Sequence, residues 1–195
     1  STTISQYVLP MGIILTVSDK DGIKPNAVLY KILDVIANIV RSVPFIILLV
    51  LLIPFTRLVV GKSYGSTATI VPLVIAAAPY IARMVESSLK EVDAGVIEAA
   101  RSMGASNFTI ITKVMLVEAR TSLLVGATIT LGTILGYSAM SGAVGGGGLG
   151  AIAIRYGYTR WQTDIMIVTV ILLIILFQIF QTVGMKLADK FDHRK

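Results

Sequence analysis

The chain contains no cysteine, one histidine and one tryptophan among its 195 residues, and only 14% of its residues are charged. The absence of cysteine excludes disulfides, thiol chemistry and thiolate metal sites. Soluble domains usually have about 25% charged residues, so a chain with 55% hydrophobic residues is too apolar to be one. His193 lies in the tail, where we expect it to be solvated rather than to bind a ligand. The lipid bilayer is therefore the predicted solvent.

The hydrophobic residues form five runs separated by polar loops, which predicts an all-α membrane protein with a single transmembrane domain over residues 1–195. A spanning helix needs about 20 residues. The first run is shorter, and we interpret it as the inner part of a short or truncated helix; a signal peptide is the alternative, but a basic n-region and a cleavage site are missing. Pro44 and Pro54 should kink or break the second span near its ends. The predicted spans are approximately residues 4–17, 36–55, 66–83, 122–140 and 165–183.

The 17 basic residues occur at the ends of apolar runs instead of forming one patch, so the net charge of +6 does not predict nucleic-acid binding. Lysine and arginine concentrate on the cytoplasmic side of membrane proteins. With the C-terminus inside, 13 basic residues face the cytoplasm and four face outward, and the opposite orientation inverts this ratio. The polar segment at about 86–118 is therefore predicted to be cytoplasmic. The inner residues are Lys20, Lys24, Lys31, Arg41, Arg83, Lys90, Arg101, Lys113, Arg120, Lys186, Lys190, Arg194 and Lys195, and the outer ones are Arg57, Lys62, Arg155 and Arg160.

A short capped helix is predicted inside this cytoplasmic segment. Asp93 suits an N-cap, and Gly104 suits the left-handed residue just beyond a helix end. Such a helix is only about 15 Å long and too short to be stable alone, so its apolar face must pack on something. A lipid-surface helix usually carries a basic face, whereas this segment is charge-balanced, which favours a protein partner. The predicted apolar face is Val96, Ala99, Ala100 and Met103, and Ser106 is predicted to cap a second helix with the stripe Phe108, Ile111, Val114 and Met115.

The same segment resembles the EAA loop of bacterial ABC-importer permeases. The matching residues are Glu98-Ala99-Ala100, three further residues, Gly104, nine further residues and then Val114-Met115-Leu116. The family pattern ends in Ile-x-Leu-Pro, and this chain has Val114 in place of the isoleucine and Val117 in place of the proline. Without that proline, we expect the approach to the fourth span to be more continuously helical.

Two further stretches narrow the resemblance. Arg41-Ser42-Val43-Pro44-Phe45 is similar to the Arg-x-x-Pro element of amino-acid importers. The glycine-rich residues 136–150, together with Tyr156-Gly157-Tyr158, resemble the permeases of methionine importers. The resemblance implies a multi-pass protein of the bacterial inner membrane that imports methionine, with the stereochemistry of the substrate left open.

The resemblance also implies the partners of this chain. Two copies would form the pathway, two cytoplasmic ATPase subunits would carry ATP and Mg²⁺, and an external substrate-binding lipoprotein would deliver methionine; no cofactor is implied on this chain. Each ATPase would receive one short helix, in which Ala99 and Ala100 allow close seating, Glu98 and Arg101 fix the register and Gly104 sets the exit turn. Between spans 3 and 4, this helix would be the coupling helix.

Gly145-x-Gly147-x-x-Gly150 matches a dinucleotide-binding fingerprint only formally. That site requires a preceding strand, a following helix and an acidic residue about 20 positions on, whereas this stretch follows a predicted membrane helix. A P-loop sequence is also absent, so ATP is not predicted to bind this chain. We favour close backbone packing at the outer mouth over a flexible loop.

The fourth span carries the candidates for the translocation pathway. Gly132-x-x-x-Gly136 should let another helix approach closely. Met140 lies on roughly the same face; it is either a gate that narrows the pathway or a simple packing residue. The further pathway candidates are Tyr137, Ser138 and Ser141, whereas Arg41 and Glu86 are interpreted as topology determinants or structural pairs.

The alternative functions are an ion-coupled or facilitative secondary carrier and a membrane enzyme. Secondary carriers usually mark their ion route with ionisable residues inside the membrane, and the middle of each predicted span has none. The sequence shows no carboxylate pair, metal-ligand cluster or nucleophile–base set that predicts catalytic or metal-binding residues. A permease subunit is therefore favoured.

Overall fold

A computed structural model describes residues 12–19, 23 and 25–191, and all regular structure in this part of the chain is helical. The described helices agree with the prediction of an all-α fold, and most of the predicted first span, residues 4–17, lies outside the described residues. The α-helices are α1 (residues 12–18), α2 (Ala27–Ser42), α3 (Phe45–Leu51), α4 (Ile53–Val60), α5 (Ser66–Lys90), α6 (Ala94–Ser102), α7 (Asn107–Thr109), α8 (Leu116–Glu118), α9 (Arg120–Ser141), α10 (Gly148–Ile152) and α11 (Thr163–Lys190). Two π-helices, Ile110–Met115 and Ala153–Tyr158, and a 3₁₀ turn, Gly142–Val144, lie between them.

Three described helices are long and apolar enough to cross a membrane. They are α5, α9 extended to Val144, and α11, with mean hydropathies of 1.7, 1.6 and 2.5. They coincide with the predicted third, fourth and fifth spans. Helices α2 and α3 pass the same test only as a pair. The described part of the chain thus holds three candidate spans, or four with this pair, and the count of five stays a prediction.

The pair α2 and α3 is bent by 102° at the break between them. Pro44 lies at this break with extended backbone (φ −55°, ψ 134°). Proline has no N–H to continue the helix and disfavours helical geometry in the residue before it. Residues 36–55 are therefore not one straight helix. Pro54 lies in the first turn of α4, where its missing N–H breaks no helical bond.

The chain divides into two compact units, of which the first contains Ser1–Asn38, Ala78–Thr128 and Val183–Lys195. Its core joins the C-terminal part of α5 to the segment that follows it. Leu15 and Ala82 form a second buried cluster beside this core. The core residues are Val85, Leu89, Val92, Ala100, Ile110, Met115 and Ala119.

The second unit contains Ile39–Ala77 and Ile129–Thr182. The rings of Phe45 and Tyr137 stack within it, with their centroids 4.5 Å apart. Trp161 lies just before α11 with a left-handed backbone (φ 58°) and a side chain that is 85% exposed. An aromatic residue rarely adopts this conformation, so the turn into α11 constrains the backbone there.

Candidate functional site

The ends of α6 are capped as the sequence predicts. The Asp93 carboxylate accepts a hydrogen bond from the Gly95 N–H at 2.7 Å, which satisfies one of the free donors of the first turn. Gly104 has a left-handed backbone with φ 81°. The N–H of Ala105 then donates to the carbonyl of Ala100 at 3.1 Å, which closes the helix end. These two residues fix where the short helix begins and ends.

The apolar residues of α6 lie on two sides of the helix. Ala100 is buried and the partly buried Ile97 packs beside it against the core of the first unit. Met103 is 81% exposed, and Val96 and Ala99 are exposed as well. The predicted apolar face is therefore divided: Val96, Ala99 and Met103 are exposed, whereas its fourth residue, Ala100, is covered by this chain. Docking of the exposed residues on a partner stays a prediction. Residues three apart share a helix face, and the pair Ile97 and Ala100 provides the inner one.

The exposed apolar residues Val96, Ala99 and Met103 lie on the outer side of α6, and we call them the coupling surface after the predicted role of this helix. Phe108 follows the turn at Gly104 and is 76% exposed. Large apolar side chains that a chain leaves exposed close together are typical of an interaction site. The predicted docking residues Glu98 and Arg101 are exposed on the same helix.

The segment after Gly104 connects α6 to α9 through nearly continuous helical backbone. The Ser106 hydroxyl accepts from the Thr109 N–H at 3.3 Å, as the predicted second cap requires. The predicted stripe is partly right: Met115 is buried, Phe108 is exposed, and the fully buried Ile110 is an addition to it. Helical geometry continues to Ser141 apart from a turn at Ala119. The structure thus agrees with the expectation for a loop that lacks the family proline at position 117.

Glu86 is the centre of a charged cluster at the C-terminal end of α5. Its carboxylate accepts from Arg83 at 2.6 Å, from Lys90 at 2.9 Å and from the Tyr30 hydroxyl at 3.1 Å. The interpretation of Glu86 as part of a structural pair is therefore confirmed. Arg83 also pairs with Asp34, and Lys90 pairs with Asp19 at 2.5 Å. The cluster fastens α2 and the end of α1 to α5.

The glycine-rich stretch after α9 is closely packed. A Cβ on Gly142 would overlap the backbone nitrogen of Ala151, and one on Gly150 would overlap the carbonyl oxygen of Ala139. A Cβ on Gly146 would lie 2.6 Å from the Thr69 hydroxyl oxygen. These approaches leave no room for a side chain, so close backbone packing is found at these three glycines. A Cβ on Gly147 or Gly148 would meet no described atom within 4 Å, and the location at an outer mouth stays a prediction.

Adding one methyl group at Gly150 tests this packing. Gly150→Ala is expected to destabilise the protein by about 2 kcal/mol, because the new Cβ forces two backbone segments apart. Thermal denaturation of the detergent-solubilised protein measures the effect. Ala143→Ser is the matched control, since Ala143 is exposed in the same stretch and also gains one heavy atom. Equal midpoints for the two variants would contradict the prediction.

The pathway candidates occupy different environments. Met140 and Ser138 are exposed, whereas the Tyr137 ring stacks on Phe45. Ser141 is only 2% exposed, and its hydroxyl donates to the Ser138 carbonyl at 2.6 Å. The Ser141 hydroxyl is therefore bonded within α9, where it stabilises the end of the helix and is turned away from solvent.

The two glycines of the predicted Gly132-x-x-x-Gly136 motif also lie in different environments. A Cβ on Gly132 would lie 2.5 Å from the ring of Phe177, so α11 approaches α9 closely at this point. Gly136 is exposed and has no such neighbour. Gly132 thus lies where α11 comes close, and the packing roles of Gly132 and Gly136 stay a prediction.

Comparison with known proteins identifies the family. Residues 8–194 match the model of the family described as binding-protein-dependent transport system inner membrane component. The chain is 52% identical over 186 residues to the probable D-methionine transport system permease protein MetI of Vibrio cholerae, which covers 95% of this chain and 83% of that protein. It is 45% identical over 195 residues to the protein of the same name from Haemophilus influenzae, covering 100% of this chain and 92% of the relative.

A solved structure gives the same result. The chain superposes with a TM-score of 0.96 and 48% identity on a chain of the inward-facing MetNI methionine ABC transporter, covering 98% of this chain and 89% of that one. The resemblance inferred from the EAA segment and the glycine-rich stretch is thus confirmed, and the relatives are permease subunits. The protein belongs to the family of binding-protein-dependent transport system inner membrane components.

Proposed function

We propose that this chain is the transmembrane subunit of an ATP-driven importer that moves methionine into the cytoplasm. The exposed coupling surface on α6 carries this proposal, because it lies in the segment that resembles the EAA loop. The names of the relatives at 52% and 45% identity supply the substrate. A secondary carrier has no need of a capped cytoplasmic helix with a bare apolar face.

In this proposal, a separate ATPase dimer binds ATP and Mg²⁺, and each ATPase subunit receives one α6. The small side chain of Ala99 lets the ATPase approach α6 closely, and Met103 adds apolar contact area. Glu98 and Arg101 fix the position of the helix along the ATPase surface. The inner face of α6 transmits the displacement, since Ala100 belongs to the same buried core as Ile110 and Met115. Because close-packed cores transmit displacement with little compression, movement of α6 reaches the helical segment that leads into α9.

The proposed arrangement in the membrane has five spans, a cytoplasmic C-terminus and two copies of the chain around the pathway. The distribution of basic residues, 13 inside and four outside, supports this orientation. Gly136 is a contact that the second copy would use, because it offers a flat helix surface with no close neighbour among the described residues. An external binding protein would deliver the substrate on the opposite side from α6.

Met140 is the proposed gate residue, with Tyr137 and Ser138 beside it. Its exposed, flexible thioether side chain fills an irregular constriction and excludes water without a fixed shape. We expect Met140→Ala to raise the uncoupled leak of methionine from loaded vesicles several-fold. Leu131→Ala on the same helix, also exposed, is the control and should leave the leak unchanged. An unaltered leak in the Met140 variant would return this side chain to a packing role.

Reconstitution of the complete complex tests the proposed function. The chain, its partner ATPase and the binding protein are incorporated into liposomes, and ATP hydrolysis is measured with and without methionine. Methionine should stimulate ATP hydrolysis. In complexes oriented with the cytoplasmic side inward, methionine should also accumulate inside the liposomes. Uptake that runs on an ion gradient without ATP would establish the secondary carrier instead.

A further inference from the structure

Helix α2 has one bare apolar face. Val28 is 70% exposed, and Ile32, Val35, Ile36 and Ile39 are exposed along the same stripe. Their spacing of four, three, one and three residues places them on one side of the helix. An apolar stripe of this length on an otherwise folded protein requires a partner that removes it from water.

The opposite face of α2 is already occupied. Ala37 is buried, the Tyr30 hydroxyl donates to Glu86, and Asp34 pairs with Arg83. These contacts hold α2 against the C-terminal end of α5. The helix is therefore fixed on one side, and its orientation about its own axis presents the apolar stripe outward.

The direction of α2 follows from the break at Pro44. The bend of 102° makes α2 nearly perpendicular to α3. Residues 45–60, which form α3 and α4, have a length of about 24 Å at 1.5 Å per residue. The hydrocarbon core of a bilayer is about 30 Å thick. Local thinning of the bilayer can compensate for a difference of this size. If these residues cross the membrane, a helix perpendicular to them lies along the membrane surface.

The charges of α2 indicate which surface this is. Lys31 and Arg41 are exposed, whereas the single carboxylate of the helix, Asp34, faces Arg83. The free charge is therefore basic, which matches anionic headgroups. Lys31 adjoins Val28 and Ile32 on the bare face, which residues of α2 alone form. A lysine at this position can pack its aliphatic stem along the apolar stripe while its ammonium group extends to the headgroups.

We propose that α2 is an interfacial helix that lies in the cytoplasmic leaflet, with Val28, Ile32 and Ile39 among the acyl chains and Lys31 at the phosphates. The inference rests on the membrane orientation given under the proposed function. It shortens the predicted second span to residues 45–60. It also places the lipid surface in contact with the helix that supplies Tyr30 and Asp34 to the charged cluster around Glu86.

Site-directed spin labelling of the full complex tests this assignment, and the absence of native cysteine in this chain makes single labels simple to introduce. Val28→Cys, Ile32→Cys and Ile39→Cys are labelled with nitroxide in nanodiscs that contain anionic lipid, after removal of reactive cysteines from the partner. Oxygen and a water-soluble nickel chelate measure the depth of each label. The three labels should lie at one shallow depth, about 5–10 Å below the headgroups.

Other outcomes overturn the proposal. A depth that increases by about 16 Å from position 28 to position 39 would make α2 part of a spanning helix. Labels shielded from both oxygen and nickel would show that protein, such as the second copy, covers the face. Ile175→Cys in α11 and Glu91→Cys after α5 are exposed reference positions for the hydrocarbon and the water. Because depth is measured without substrate, a negative result with intact methionine-stimulated hydrolysis rejects α2 as an interfacial helix and leaves the transport function standing.

Discussion

Replacing Gly104 with lysine is expected to lower methionine uptake at least tenfold while ATP hydrolysis by the complex continues. The glycine has φ 81°, where a side chain costs roughly 1–2 kcal/mol. A Cβ there would meet no atom of residues 12–19, 23 or 25–191 within 4 Å, so the variant creates no clash with them. The substitution instead changes the direction in which the chain leaves α6. It also disturbs the contact that the region around Met103 would make with the ATPase. Uptake and phosphate release in the same proteoliposomes provide the measurement.

Gly61→Lys is the matched control for this variant. Gly61 ends α4 with φ 75° and also has no atom within 4 Å of a Cβ. Its substitution introduces the same charge and the same backbone strain in the second unit, far along the chain from α6. Gly104→Asn should keep most of the uptake, since asparagine tolerates the left-handed conformation. Normal uptake in Gly104→Lys, or an equal loss in Gly61→Lys, would reject the coupling role.

Glu86→Gln is expected to destabilise the protein by about 3 kcal/mol, the order observed when one member of a buried ion pair is removed. The Glu86 side chain is almost fully buried between Arg83, Lys90 and Tyr30. A neutral amide keeps the shape but leaves two cations without their shared counter-charge. For a chain of 195 residues, at about 2–4 °C per kcal/mol, the denaturation midpoint should fall by roughly 6–12 °C.

Glu91→Gln separates this effect from the loss of any negative charge in the same region. Glu91 is exposed just after α5, and substitutions of this kind usually stay within about 0.5 kcal/mol. The two variants differ from the native chain by the same atoms. Coincident denaturation midpoints would mean that the pairs of Glu86 contribute little, and α2 would then depend on its apolar contacts alone.

Local features of the coupling segment were predictable from the sequence. The caps at Asp93, Gly104 and Ser106 depend on one residue type each and on neighbours within a few positions. Hydrophobic run length likewise predicted α5, α9 and α11, because a bilayer imposes a minimum length. The kink at Pro44 follows from the chemistry of proline itself.

Features that depend on distant residues were not predictable. Glu86 meets Tyr30 across 56 positions and Arg83 meets Asp34 across 49, and the spacing of charges along a chain contains no information about such pairs. The sequence also did not reveal which side of α6 is buried. Its apolar residues occupy two faces, of which one belongs to the core that contains Ile110 and Met115 and the other is exposed. Hydrophobic periodicity cannot distinguish a face that packs inside the chain from one that binds a partner.

The single tryptophan gives the structure a built-in optical reporter. Trp161 is the sole indole among the 195 residues, so the intrinsic tryptophan emission of this subunit originates at one known point. That point is a side chain 85% exposed in the turn that leads into α11. Its emission wavelength and its quenching by iodide therefore describe the polarity around this turn alone. Any event that covers the turn, from lipid contact to protein contact, becomes visible in the spectrum without a chemical label.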